Sequence, residues 1–364
     1  MRTSRLAAVL VAGVLMLLLA APAMAQQIDR RGVSAAAPNP LVGEKWFVDP
    51  QEPAFKSYRG YQGANRDLMA KIALTPRFKW FGRFSRPTAG SIRSFISRAS
   101  ADGAVPLVAT LRHQGKQCNP RYTAGGKRED RSTKRWFKDF ARGIGKSRVI
   151  IAFEPDSVGT IECLARSRRK ARVAVLRYGI DQLAKLPNAT VYIEATAADW
   201  KSVSYVAKVL RQIGVAKVRG FMVNVTHYEW TGANIRYGRK LSKRLGGKHF
   251  VISTAMNGRG TVRYRRGKRP VNVLCHPLYR GAGPYPTTKT SDPLVDAYFW
   301  INRAGYSGGR CNGGPLPVGS WWPERALMFA RHQSNQEGPP PNSTFGFTGS
   351  PYSLRQVAGD QLRR

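Results

Sequence analysis

Acidic and amide side chains stand at the ends of four apolar segments of this 364-residue sequence. They are Glu154 and Asp156 after RVIIAF, Glu194 and then Asp199 with TVYIEA, Asn224 in RGFMVNV, and Asn257 after FVISTA. A carboxyl group that emerges from an apolar segment can have a raised pKa and act as a general acid. The alternative role for Glu154 and Asp156 is to cap the following helix.

The segments that carry these side chains read as β-strands separated by helices. The predicted strands are 105–111, 148–153, 190–195, 219–225 and 250–255, and the predicted helices are 134–144, 166–186, 200–214 and 233–246. Strands rich in Val and Ile on both faces, with helices between them, indicate a buried parallel sheet. Five such units in one run favour a barrel, and no GxGxxG follows the first strand to indicate a dinucleotide site. In a parallel barrel, catalytic groups lie where strands end.

The N-terminus predicts export. Arg2 and Arg5 precede an apolar run over 6–21, and Ala23-Met24-Ala25 has the small residues of a cleavage site. We read 1–25 as a signal peptide, with an uncleaved anchor as the alternative, and expect the mature protein to be secreted, with no membrane segment. Residues 26–38 are predicted to be a flexible lead-in, 39–332 one catalytic domain, and 333–364 an extended C-terminal tail.

Four cysteines in an exported chain predict two disulfides. Three pairings are possible, and the one local in sequence joins Cys118 with Cys163 and Cys275 with Cys311. The sequence contains no CxxC and no HExxH, so we expect neither a metal nor another cofactor.

Short motifs in a fixed order carry a resemblance to a known family. They are Asn39-Pro40-Leu41-Val42-Gly43, Phe153–Val158 (FEPDSV), Tyr192–Trp200 (YIEATAADW), 223–226 (VNVT), 253–258 (STAMNG), Cys275-His276-Pro277, 296–301 (DAYFWI), and 311–315 (CNGGP) with Trp321-Trp322. In this order they resemble glycoside hydrolase family 6, the secreted β-1,4-glucanases that include endoglucanases and cellobiohydrolases. The resemblance extends from about residue 39 to 328, and FEPDSV, similar to the family's IEPDSL, is its most specific part.

The resemblance implies a single-domain, distorted parallel (β/α) barrel with a cleft or tunnel over its strand ends. It implies hydrolysis of β-1,4-glucan such as cellulose, with inversion, and Asp156 as the general acid. Trp200 and Asn224 match substrate-contacting positions, and Trp46 is a further sugar-stacking candidate, with an ordinary core tryptophan as the alternative. The family's two disulfides match the pairing that is local in sequence.

Two departures from the family pattern affect the chemistry. Gln117 replaces the Asp that precedes the first cysteine, and Gly308 stands where the family has its favoured catalytic base. The nearest replacement carboxylates are Glu194, Asp199 and Asp292. Because a general base contributes about 10²- to 10⁴-fold, we expect a slow glucanase at best.

The chain is strongly basic. It has 60 Lys and Arg against 21 Asp and Glu, a formal charge of +39 that falls to +37 when the two arginines of the signal peptide are removed. Basic clusters occupy 166–172, 239–244 and 263–269, and the third precedes Cys275, which makes it a candidate for a loop near the cleft. Solvated surfaces are one explanation, and affinity for an anionic cell-wall polymer is the other.

Two functions therefore stay open on the sequence alone. One is a secreted glucanase with Asp156 as its acid; the other is a degenerate relative that binds glycan or an anionic cell-wall polymer without cleaving it. The expected partner is β-glucan or a related polysaccharide. We expect a monomer with no dedicated nucleic-acid role.

Overall fold

The computed structural model describes residues 38–113, 126–266 and 269–340. The predicted signal peptide, Gln117, Cys118 and most of the predicted tail lie outside these residues. Within them, no helix combines the length and the apolar character needed to cross a membrane.

Nine strands and eight α-helices make up the described chain. The strands are β1 (Lys79–Gly82), β2 (Leu107–Leu111), β3 (Val149–Phe153), β4 (Ala189–Glu194), β5 (Gly220–Val223), β6 (His249–Ser253), β7 (Arg263–Arg266), β8 (Arg269–Asn272) and β9 (Val295–Phe299). The helices are α1 (Pro53–Gly60), α2 (Gly63–Ala73), α3 (Thr88–Ala101), α4 (Lys127–Ile144), α5 (Arg166–Leu183), α6 (Val203–Ile213), α7 (Thr231–Arg244) and α8 (Pro323–Arg331).

Seven of the strands form one parallel sheet in the order β1-β2-β3-β4-β5-β6-β9. The sheet curls into an incomplete barrel. A bridge between Arg77 and Trp300 and a hydrogen bond from the Trp80 indole to the Ile301 carbonyl (2.8 Å) link its two edges. This architecture confirms the predicted distorted parallel barrel.

Burial on both faces explains why these strands lack an alternating pattern. β3 is buried at all five positions. Every second residue of it faces the barrel interior, where Ile150 and Ala152 pack with Tyr192 and Met222 from the next strands. The intervening residues, such as Ile151 and Phe153, pack against the surrounding helices.

A buried ionic network closes the end of the barrel where the strands begin. Asp296 accepts hydrogen bonds from the Tyr192 hydroxyl (2.7 Å) and from Arg219 (2.8 Å to each oxygen). The Asn39 side chain donates to the Asp296 carbonyl (2.7 Å). Three of the motifs that carry the resemblance, which begin at Asn39, Tyr192 and Asp296, therefore meet in a structural role.

The five predicted strands and four predicted helices are present with bounds shifted by a few residues, the largest shift being the start of α4 at Lys127 rather than 134. The sequence analysis did not predict β1 and β9, which complete the barrel, because neither is a run rich in Val and Ile: β1 reads KWFG, and β9 reads VDAYF with a charged second residue. It also missed the antiparallel β7–β8 hairpin, because arginines dominate its sequence and its apolar face is small, consisting of Val262, Tyr264, Val271 and Val273.

Cys275 and Cys311 form a disulfide, with their Cα atoms 6.0 Å apart. This confirms one of the two predicted bonds. The other predicted bond includes Cys118, outside the described residues, and stays a prediction.

Candidate active site

Four non-glycine residues adopt left-handed backbone conformations where β3, β4 and β5 end. They are Glu154 (φ 56°), Asp156 (φ 68°), Thr196 (φ 64°) and Asn224 (φ 65°). Such conformations are uncommon for residues with a side chain, and they concentrate at functional sites. The predicted carboxylates therefore follow the strands in sharp turns at one end of the barrel, the end where the parallel strands finish.

Asp156 is the predicted acid, and its side chain is partly exposed at this end of the barrel. The Thr226 hydroxyl, which follows β5, donates a hydrogen bond of 2.5 Å to Asp156 Oδ1. Neither Glu154 nor Asp156 makes a side-chain cap hydrogen bond to the start of α5, whose N-cap is Ala165. The capping alternative is therefore wrong.

Glu194 lies at the end of β4 and is 2% exposed. Its carboxyl oxygens accept hydrogen bonds from the backbone N–H groups of Thr196 (2.6 Å) and Val158 (2.7 Å). Burial, and second the charge of Asp156, raise the pKa of Glu194 to about 8. A protonated, buried carboxyl group next to Asp156 is poorly suited to activate a water molecule.

Glu154 is fully buried and serves to join β3 to β2. It accepts hydrogen bonds from the backbone N–H groups of Arg112 (3.0 Å) and His113 (2.8 Å) and pairs with His113 Nδ1 (2.6 Å). Burial acts to raise the pKa of Glu154, but the contacts with His113 outweigh it and hold that pKa below its usual value. Glu154 thus holds the turn that presents Asp156.

Trp200 lies on a platform that the sequence reading did not anticipate. Its ring stacks on His227, with centroids 4.9 Å apart and an angle of 21° between the planes. His227 Nδ1 in turn pairs with Asp199 (2.8 Å). A Cβ on Gly159 would lie 2.3 Å from the indole, so only glycine permits this approach. A signal was present in the sequence: His227 comes three residues after Asn224, just beyond the predicted strand 219–225, where side chains from neighbouring strand ends are expected to meet.

The two other predicted sugar contacts lie deeper. Asn224 is 1% exposed, and its side-chain amide donates to the carbonyls of Glu229 (3.0 Å) and Ser253 (3.1 Å). Trp46 forms a bridge with Val105, and its ring centroid lies 4.7 Å from that of Phe299, beside the barrel interior. These contacts favour a packing role for both residues.

The position that matches the family's catalytic base is an exposed glycine. The Gly308 N–H donates to His276 Nε2 (2.7 Å), and His276 Nδ1 lies 2.8 Å from the Cys311 carbonyl. With Nε2 as acceptor, Nδ1 carries the proton, so the imidazole is neutral and both nitrogens are engaged. His276, Cys275 and Cys311 are close enough for a metal site, but the disulfide leaves no thiolate to bind one.

The proposed replacement carboxylates are also engaged. Asp199 is bound by His227 and by Asn272 (2.6 Å); burial raises its pKa, but the His227 contacts outweigh this and lower it. Asp292 precedes β9 and therefore lies at the end of the barrel where the strands begin, opposite to Asp156. It pairs with Arg239 (3.3 Å). Its suggested role as a base at the strand ends is therefore wrong.

The β7–β8 hairpin contains the third basic cluster and lies against this site. Asn272 binds Asp199, and Arg263 forms an ion pair with Glu229, which follows β5. The segment is a β-hairpin rather than the expected loop, residues 267 and 268 lie outside the described chain, and its position near the cleft stays a prediction that these contacts support.

Comparisons with known proteins agree with this arrangement. The family model for glycosyl hydrolases family 6 matches residues 41–333. The chain is 34% identical over 298 residues to endoglucanase A of Cellulomonas fimi, covering 81% of this chain and 62% of that protein. It is 26% identical to endoglucanase A of Thermobispora bispora, covering 82% and 64%. The chain thus spans less than two thirds of the length of these relatives.

Solved structures give the same result. The endoglucanase Cel6 of Mycobacterium tuberculosis, solved with a thio-linked cellobioside derivative, has 32% identity and a TM-score of 0.74, covering 81% of this chain and 99% of that chain. Endoglucanase CEL6B of Humicola insolens, at 20% identity and a TM-score of 0.67, covers 83% and 100% and shares the fold. The family match and the strand order confirm the resemblance, and the chain belongs to glycosyl hydrolases family 6.

Proposed function

We propose that this protein is a secreted glucanase that hydrolyses β-1,4-glucan with inversion, using Asp156 as its general acid. The observation that supports this most directly is the partly exposed Asp156 side chain at the end of β3, in a chain of this family. The apolar run at 6–21 supports export, with cleavage after Ala25.

The charge of Asp156 that acts on Glu194 belongs to its ionised form, so in this proposal Asp156 takes up a proton before each turnover. That proton passes to the glycosidic oxygen as the bond to the anomeric carbon breaks. Thr226 donates a hydrogen bond to Oδ1 and so orients the carboxyl group that delivers the proton. Trp200, held by His227, offers an aromatic face to a sugar ring next to the cleaved bond.

Water must attack the anomeric carbon from the opposite face, and an inverting enzyme normally has a second carboxylate there, about 6.5–9.5 Å from the acid. Gly308 supplies none. Because Gly308 is exposed, the proton of the attacking water leaves to solvent in this proposal. Turnover is then slower by about the 10²- to 10⁴-fold that a general base contributes.

The hydrogen bonds that occupy both nitrogens of His276, from the Gly308 N–H and to the Cys311 carbonyl, also support a second candidate function. Without a proton acceptor on the water side, the same cleft would bind β-glucan and release it uncleaved. The two functions share every binding residue and differ only in product formation.

The test is the release of reducing sugar from soluble β-1,4-glucan by the mature protein and by Asp156→Asn. We expect slow release that falls at least about 100-fold in the variant, because a neutral amide cannot donate the proton. Asp102→Asn, an exposed carboxylate on the outer surface, is the matched control and should keep full activity.

Each other outcome has a distinct meaning. Binding of glucan by both proteins without release would establish the non-hydrolytic function. Release that persists in Asp156→Asn would show that another group is the acid.

A further inference from the structure

The outer face of α4 carries a row of cations. Helix α4 buries one side against its neighbours through Thr133, Trp136, Phe137, Phe140, Ala141 and Ile144. On the opposite side, four exposed residues follow one another at steps of three, four and three residues: Arg128, Arg131, Arg135 and Lys138. We call these four residues the α4 stripe.

The acidic residues of α4 are committed to other partners. Glu129 binds Arg83 (2.8 Å) and Arg112 (2.5 Å). Asp130 is bound by Arg168 (2.6 Å). Asp139 is bound by Arg142 (2.8 Å), an exposed arginine that follows Lys138 by four residues and continues the row. Within the described part of the chain, none of the four side chains of the α4 stripe makes a hydrogen bond or an ion pair.

Helix stability does not explain the α4 stripe. Cations in the first turn oppose the helix dipole, and like charges three or four residues apart repel each other. Helix α7 is a useful comparison, because Arg239, Lys240, Lys243 and Arg244 lie in its last two turns, where the dipole favours positive charge. The α4 stripe begins in the first turn instead.

We propose that the α4 stripe is a docking surface for a linear anionic polysaccharide that carries carboxylate groups. Its mean step of about 3.3 residues corresponds to about 5 Å along the helix, comparable with the length of one sugar unit in an extended 1,4-linked chain. Three of its four cations are arginine, whose planar guanidinium binds carboxylates in bidentate fashion.

The composition of this face argues against a single-stranded nucleic acid and against a membrane surface as the partner. All three aromatic side chains of α4, Trp136, Phe137 and Phe140, are buried. The face therefore has no ring for stacking on unpaired bases and no apolar side chain for insertion into a lipid surface.

The α4 stripe also has a defined relation to the candidate active site. Glu129, in the first turn of α4, binds Arg112, the residue that follows β2 and whose N–H contacts Glu154. The α4 stripe therefore starts beside the strand ends and runs about 15 Å along the outside of the barrel. A polymer bound there would hold the open end of the barrel close to its matrix, whether or not the cleft hydrolyses glucan.

The test measures binding of the mature protein to polygalacturonate at low and moderate salt, with a neutral β-glucan as the uncharged comparison. The variant Arg128→Gln, Arg131→Gln, Arg135→Gln, Lys138→Gln removes the stripe and keeps good helix formers. The matched control removes four exposed cations from α7: Arg236→Gln, Lys240→Gln, Lys243→Gln and Arg244→Gln. Circular dichroism confirms that each variant is folded.

We expect polygalacturonate affinity to fall ~10- to 100-fold in the stripe variant, since each of the four exposed ion contacts contributes about two- to three-fold. The affinity of the α7 variant should fall far less. Added salt should lower the affinity of the parent protein more than that of the stripe variant. An equal loss in the two variants, or no binding by the parent protein, would overturn the proposal. Stronger, stripe-dependent binding to duplex DNA or to anionic vesicles would assign the surface to that partner and reject the polysaccharide.

Discussion

Glu194 makes the stability of this protein depend on pH in an unusual direction. Its pKa is about 8 in the folded chain, against an ordinary value of 4.5, because of its burial and, second, the nearby charge of Asp156. Between these pH values the folded state keeps a proton that the unfolded state has released. Raising the pH therefore favours unfolding across this window, and the effect is constant above it.

The size of the effect follows from the shift. Each pKa unit corresponds to about 1.4 kcal/mol, so the free energy of unfolding falls by roughly 5 kcal/mol at most from pH 4.5 to 8. Glu194→Gln removes the titration and with it this slope. It also places an amide NH₂ against one of the two backbone N–H groups, of Thr196 or Val158, and a buried mismatch of this kind costs about 1–3 kcal/mol.

Urea unfolding of the parent protein and Glu194→Gln from pH 4.5 to 9 measures this directly. The variant should be the less stable protein near pH 4.5 and should gain on the parent as the pH rises to 8. Asp156→Asn should reduce the slope of the parent without abolishing it, because burial is the larger cause. A stability difference between parent and Glu194→Gln that stays constant over this range, or moves the other way, would refute the reasoning.

Two further predictions concern the candidate active site. Gly308→Asp should raise the rate of glucan hydrolysis at least about tenfold by restoring a carboxylate on the side from which water attacks. The new Cβ would lie 3.3 Å from His276 Nε2, so a second variant that adds His276→Asn should be faster still. An unchanged rate in both variants would show that the missing base is not the cause of slow turnover. His227→Ala should raise KM for cello-oligosaccharides with little change in kcat, because Trp200 loses its supporting ring; a fall in kcat alone would contradict a role in sugar binding.

Much of the site could be predicted from local sequence. Asp156 and Glu194 were found because a carboxylate at the end of an apolar run is a local signal, readable without knowing the fold. The α5 and α6 helices were found for the same reason, since their periodicity lies within one segment. β1 and β9 were not, because KWFG and VDAYF lack a run of Val and Ile, and only their pairing with β2 and β6 makes them strands of the sheet.

Residue types and their spacing along the chain were sufficient to predict five strands alternating with four helices, the family, the acid candidate and the loss of a carboxylate at Gly308. Tertiary structure decided the state of each group. Glu154, Glu194 and Asp199 are all carboxylates near strand ends, yet one is held ionised by His113, one is protonated, and one supports the Trp200 platform through His227. Burial and contacts between distant segments set these differences, and neither can be read from the types of neighbouring residues.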